Sequence, residues 1–121
     1  MDISGSKIEL LARLMNASSL RGRVIAGNIA NQNTPGFKRQ EVQFEDSLRE
    51  ALASGNPRAM ARVTPELTVD ELSPASPDGN NVNMELEMNS MRENRLTYET
   101  YATIMETNLA LIDTAIRGGR S

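Results

Sequence analysis

With 121 residues the chain has the length of one ordinary domain, yet aromatics supply only 3% of it, so any interior must rest on Leu, Ile, Met and Ala. The formal charge of -3 comes with no run of Lys or Arg, which excludes the concentrated basic footprint that nucleic acid requires. Without Cys or His, and without a glycine-rich phosphate cradle or carboxylates at ligand spacing, the sequence offers no catalytic, cofactor or metal site.

From Lys7 to Asn31, apolar and small residues recur alternately four and three positions apart, at Leu11, Met15, Ser18, Gly22, Ile25 and Ile29. That spacing predicts an amphipathic helix with a heptad seam, widened by Leu14 and Val24, and it places Arg13, Arg21 and Arg23 toward solvent. Gly22 and Gly27 each weaken an isolated helix by about 1 kcal/mol relative to Ala, so contacts outside the helix must keep it ordered. Ser18 and Gly22 leave room for another backbone to come close.

The helix is then cut off. Pro35 cannot continue it and pushes Thr34 out of the helical region. Thr34-Pro35-Gly36-Phe37 fits a type II turn, with Gly36 taking the positive φ, and it presents Phe37 at a fixed place. Asn28 and Asn31 share a helix face and are suited to bond backbone groups of the turn or of a neighbour.

Pro57, Pro65, Pro74 and Pro77, with Gly55 and Gly79, break periodicity in the middle of the chain, which reads mostly as extended loop. The exceptions are a short helix at 45–53, with Leu48 and Leu52 one turn apart, and a strand within 62–69 that Pro65 confines to an edge or a hairpin. A second long helix follows at 84–117, with a stripe of Met88, Met91, Tyr98, Ala102, Met105, Leu109, Ile112 and Ile116. Asn83 is its expected N-cap, Glu85 and Glu87 suit its first turn, and Gly118 and Gly119 its stop.

The expected fold is therefore mainly α. Two long terminal amphipathic helices pack as an elongated, coiled-coil-like hairpin, joined by an irregular Pro-rich connector holding a short helix and a weak β-hairpin. The chain divides into segments 1–31, 32–82 and 83–121, the first net positive and the helical part of the last net negative, which suits their pairing. Such a hairpin with a polar connector cannot enclose a conventional core, and the apolar surface left over implies partners. No stretch approaches the roughly 20 apolar residues of a membrane span, and the start lacks the basic, then unbroken apolar, pattern of a signal peptide. Direct membrane insertion is not expected.

The run Asn28-Ile29-Ala30-Asn31-x-x-Thr34-Pro35-Gly36-Phe37-Lys38 closely resembles the N-terminal signature of flagellar rod and hook proteins. Farther on, Asp78-Gly79-Asn80-Asn81-Val82-Asn83, Glu87-Met88 and Glu93-Asn94-Arg95-Leu96-x-Tyr98 resemble the C-terminal signature of proximal rod proteins of the flagellar basal body. The resemblance covers both ends of the chain and departs from the family at Asn83, where an aspartate is usual. FlgC-like proteins share much of the layout, but the Glu-Asn-Arg-Leu-x-Tyr run and the lack of an Ala-Asn ending motif set the chain apart from them.

The resemblance implies a structural subunit of the periplasmic drive shaft, exported by the flagellar type III apparatus without a cleaved leader and assembled in a helical tube. Implied partners are FlgC-like and distal rod subunits, a FliE-like adaptor, the inner-membrane ring and the export apparatus, with no cofactor. Subunit contacts are expected at Leu11, Met15, Gly22, Ile25, Asn28, Ile29, Asn31, Thr34, Pro35, Gly36 and Phe37. On the second helix they are expected at Met88, Met91, Tyr98, Met105, Leu109, Ile112 and Ile116. A soluble helical adaptor or export chaperone, using the same stripes to bind a client, is the rival reading.

Overall fold

The computed structural model describes residues 3–119; positions 1–2 and 120–121 of the expected terminal segments lie outside it. Its elements run α1 (Ile3–Ala30), β1 (Gln40–Gln43), α2 (Glu45–Ala53), α3 (Pro57–Arg62), β2 (Glu66–Val69) and α4 (Met84–Gly118). At 1.5 Å per residue, α1 is about 42 Å long and α4 about 52 Å. They lie antiparallel, as the pairings of Ser18 with Asn94 and of Asn28 with Glu87 require. The mainly helical hairpin is thus present. Gly22 serves the expected close approach, since a Cβ there would stand 3.3 Å from the Asn94 side-chain amide.

The phase of α4 departs only in part from the expected seam, since Met91, Ala102, Met105 and Ile112 of the stripe are half-buried. Toward α1 it turns Glu87 and Asn94, while Met88, Tyr98, Leu109 and Ile116 are exposed. The reason is chemical. Asn94 donates to the Ser18 carbonyl at 2.8 Å and accepts from its hydroxyl at 3.0 Å, so polar residues share the contact line with part of the stripe, and Met88, Tyr98, Leu109 and Ile116 fall outside it.

The connector also departs from an extended loop. Phe44, Leu48, Ala51 and Val63 form a small core with Ala17 of α1, and Leu10, Leu14, Ala59 and Met60 pack around it. Ala51 is the second inward residue of α2, whereas Leu52 is exposed. Asn56 caps α3 by accepting from the Arg58 amide, and Pro57 stands at its start, where a missing N–H costs nothing. β1 and β2 pair antiparallel, Gln40 opposite Val69 and Gln43 opposite Glu66, but α2 and α3 lie between them in sequence. They form a two-stranded ribbon instead of a hairpin, and the strand starts only after Pro65.

Two arginines expected in solvent bind the connector to α1. Arg13 donates to the Ala61 and Val63 carbonyls, closing the C-terminal end of α3. Arg21 grips both oxygens of Glu45, at 2.6 and 2.8 Å, and also donates to the Val42 carbonyl. The guanidinium bond holds the Glu45 carboxyl below the ordinary carboxylate range. Arg23 alone of the three is exposed.

Candidate assembly site

α1 ends where the sequence requires. The Phe37 amide donates to the Thr34 carbonyl at 3.2 Å, and Gly36 has φ +75°, which closes a type II turn. Asn31 donates back to the Gly27 carbonyl at 2.8 Å and accepts from the Thr34 hydroxyl, fixing how the chain leaves the helix.

This turn is the floor on which residues 78–83 rest. The Gly36 amide donates to the Asp78 carbonyl at 2.9 Å, and Asn80 donates to the carbonyls of both Asn31 and Thr34 at 2.8 Å. Lys38 donates to the Gly79 carbonyl. Gly79 has φ +90°, and a Cβ on it would meet the Gly36 Cα at 3.3 Å, so two glycine backbones cross in van der Waals contact. The two motifs, distant in sequence, are therefore one structural unit.

Beneath the turn lies a polar junction. Asn28, 1% exposed, donates to the Gln40 carbonyl and accepts from the Gln40 amide, both at 2.9 Å, and so pairs with β1 as a strand backbone would. Its amide also reaches Glu87 at 3.3 Å. Glu87, 1% exposed, accepts from Arg39 Nε at 2.6 Å. The same guanidinium pairs with Glu41 and with Asp70, the latter at 2.9 Å. Burial disfavours the Arg39 charge, but bonds to Glu87, Glu41 and Asp70 outweigh it and raise its pKa.

Asp70 is held just as firmly. Its carboxylate accepts from the Ser73 hydroxyl, the Ser73 amide, the Leu72 amide and Arg39, which together keep its pKa well below the usual range. Asn81 ties this group to the turn, accepting from the Arg39 amide at 2.7 Å and donating to the Asp70 carbonyl at 2.7 Å. Asn83 caps α4 as expected, its side chain accepting from the Leu86 amide.

The residues expected at subunit contacts fall into three groups. Leu11 and Ile25 are buried and Met15, Gly22 and Ile29 half-buried on α1, while Met91, Met105 and Ile112 are half-buried on α4. Asn28, Asn31 and Phe37 have bonding partners within the chain, and Thr34, Pro35 and Gly36 are exposed at the turn. Met88, Tyr98, Leu109 and Ile116 are exposed along α4.

Sequence reasoning missed Arg39 and the burial of Glu87, which it placed in the first turn of α4 and in the C-terminal signature. Their signal was an arginine two residues after the turn and an acid on the contact line of α4.

A long hairpin whose polar knot fixes its register, and whose longer helix keeps apolar flanks open, is the build of an assembling structural subunit. The family model for flagella basal body rod proteins matches residues 12–38. The chain is 31% identical to the flagellar basal body rod protein FlgB of Borrelia hermsii, over 97% of this chain and 100% of that one. It is 31% identical to the FlgB of Aeromonas hydrophila over 86% and 87% of the two chains, and 28% identical to that of Aquifex aeolicus over 92% and 93%. The chain belongs to the FlgB family of flagellar basal body rod proteins. That makes it a structural subunit of the basal body rod, and the FlgC-like alternative is not favoured.

Proposed function

We propose that this chain builds the proximal part of the periplasmic rod, its hairpin packing against neighbouring subunits in a helical tube. One observation carries the reading: α4 leaves Leu86, Met88, Leu96, Tyr98, Ile104, Leu109, Leu111 and Ile116 exposed, far more than scattered surface apolar residues. They lie on both flanks of its contact with α1, so one neighbour helix cannot cover them. FlgC-like and distal rod subunits, a FliE-like adaptor, the inner-membrane ring and the export apparatus are the partners this position implies. The turn at Thr34, Pro35 and Gly36 and the stripe of Met88, Met91, Tyr98, Leu109, Ile112 and Ile116 are the proposed contact residues. Buried Leu11, Ile25 and Asn28 support them from within.

Because Leu109 is exposed in the single chain, Leu109→Asp spares the fold and removes a contact. We expect wild-type circular dichroism and melting, no incorporation into detergent-extracted basal bodies, and loss of swimming. Normal motility of this variant and of Tyr98→Asp would overturn the proposal, as would finding the wild-type chain only in the cytosol, where an adaptor or chaperone would stay.

A further inference from the structure

The ribbon has two outer edges, and only one of them is closed. The Asp70 amide donates to the Arg39 carbonyl at 2.9 Å, which fixes the alternation of the ladder: Glu41 with Thr68 and Gln43 with Glu66 are the pairs that exchange bonds. The backbone groups of Gln40 and Val42 therefore turn outward from β1, and those of Leu67 and Val69 outward from β2. On β1 the side chains of α1 take them up, Asn28 bonding the Gln40 amide and carbonyl and Arg21 the Val42 carbonyl. On β2 no group among the described residues bonds the amide or carbonyl of Leu67 or Val69. The side chains of these two residues share one face of the strand and are half exposed, and Leu72 just beyond them is almost wholly so.

Such an edge is a template for a further strand. A second copy is a poor occupant. Its β1 edge is already closed, and two β2 edges paired antiparallel about Thr68, the register that joins Leu67 to Val69 in both directions, set Glu66 of each opposite Asp70 of the other. Like charges so placed oppose pairing. The charge around the edge points instead to a basic partner, since residues 63–83 hold Glu66, Asp70, Glu71 and Asp78 and no Lys or Arg. We infer that the outer edge of β2 docks an extended segment of another protein, apolar at alternate positions and bearing Lys or Arg at both ends, which joins the ribbon as its third strand. Its backbone takes up the free groups of Leu67 and Val69, its apolar side chains lie beside theirs, and its basic ends stand by Glu66 at one end and Asp70 and Glu71 at the other. The site is on the connector and uses none of the α4 contact residues.

The test titrates the purified, isotope-labelled chain with the capped peptide acetyl-Lys-Val-Thr-Val-Lys-amide, whose valines stand opposite Leu67 and Val69 in either direction, and follows backbone amides by nuclear magnetic resonance. Saturable shifts centred on the Leu67 and Val69 amides, with slowed hydrogen exchange of both, are expected. None are expected from the same peptide with Glu in place of Lys, or with both valines N-methylated, which removes the donors that face β2. Leu67→Pro deletes only an outward N–H, so it is expected to melt near wild type and to bind the Lys peptide at least several-fold more weakly. No saturable shift at β2, equal shifts there from the Glu or the N-methylated peptide, or undiminished binding by folded Leu67→Pro overturns the inference. So do concentration-dependent shifts of the same amides without peptide, which mark a second copy as the occupant. Should Leu67→Pro unfold, the N-methylated peptide decides alone. Incorporation into basal bodies is not read by any of these measurements, so the rod reading stands or falls separately.

Discussion

Arg39 and Glu87 form an unequal pair, and the inequality can be measured. Arg39 has three carboxylates around it, Glu87, Glu41 and Asp70, whereas Glu87 has one cation and a long bond from Asn28. Arg39→Met keeps the aliphatic stem but leaves a carboxylate that is 1% exposed without a counter-charge. Removing one member of a buried pair in this way costs about 3–5 kcal/mol. Glu87→Gln leaves Arg39 with two carboxylates and an amide oxygen that still accepts, so the loss is one charge-assisted bond, about 1.5–3 kcal/mol. Arg39→Met is therefore expected to be the worse by about 1–2 kcal/mol. Urea unfolding of the purified chain reads this as a lower midpoint at unchanged slope. If Glu87→Gln proves as costly as Arg39→Met, or both stay under about 1 kcal/mol, the junction does not fix the hairpin as described.

Two further outcomes concern the same unit. Gly36→Ala and Gly79→Ala both force a Cβ into positive φ, at about 1–2 kcal/mol, but only at Gly79 does the new carbon also meet a backbone, so Gly79→Ala is expected to melt at the lower temperature; equal melting temperatures would refute the crossing of the two glycine backbones. Asp70 and Glu45 are both held below their ordinary pKa, so between the folded and unfolded values the unfolded chain binds more protons and stability rises with pH. Their contribution is thus whole at neutral pH and begins to fall away below about pH 4. Unfolding free energies measured against pH should show a shallower acid loss in Asp70→Asn, and an unchanged slope would contradict the role given to Asp70.

What was legible in the sequence follows from where the determinants are local. The type II turn is set by Pro35 and Gly36 themselves, the cap of α4 by Asn83, and the start of α2 is favoured by Glu45 and Asp46 in its own first turn. The ribbon, α3 and the small core were not legible, because they depend on residues far apart in sequence. Val63 and Phe44 share a core with Ala17, and Arg13 and Arg21 reach across from α1 to the connector around it; a rule that sends arginines to solvent hides those bonds. Part of the α4 stripe, Met88, Tyr98, Leu109 and Ile116, was misplaced for a related reason. Hydrophobic periodicity finds the most apolar stripe, and here the contact line is partly polar, with Ser18 bonding to Asn94 and Asn28 to Glu87.

That polar line ties the connector to the proposed assembly surface. An all-apolar seam between α1 and α4 would bury well, but at a uniform heptad spacing it could slide by a turn with little loss. Asn28 on the backbone of Gln40, Glu87 on Arg39 and Asn80 on the carbonyls of Asn31 and Thr34 permit one register only, since a shift of one turn leaves a buried carboxylate and several amides unpaired. With the register fixed, the apolar residues excluded from the contact line, Tyr98 and Leu109 on one flank and Leu86 and Ile104 on the other, stay at constant positions relative to the turn. A repeating assembly needs that constancy, because an error of one helical turn in a single subunit would displace both of its neighbours.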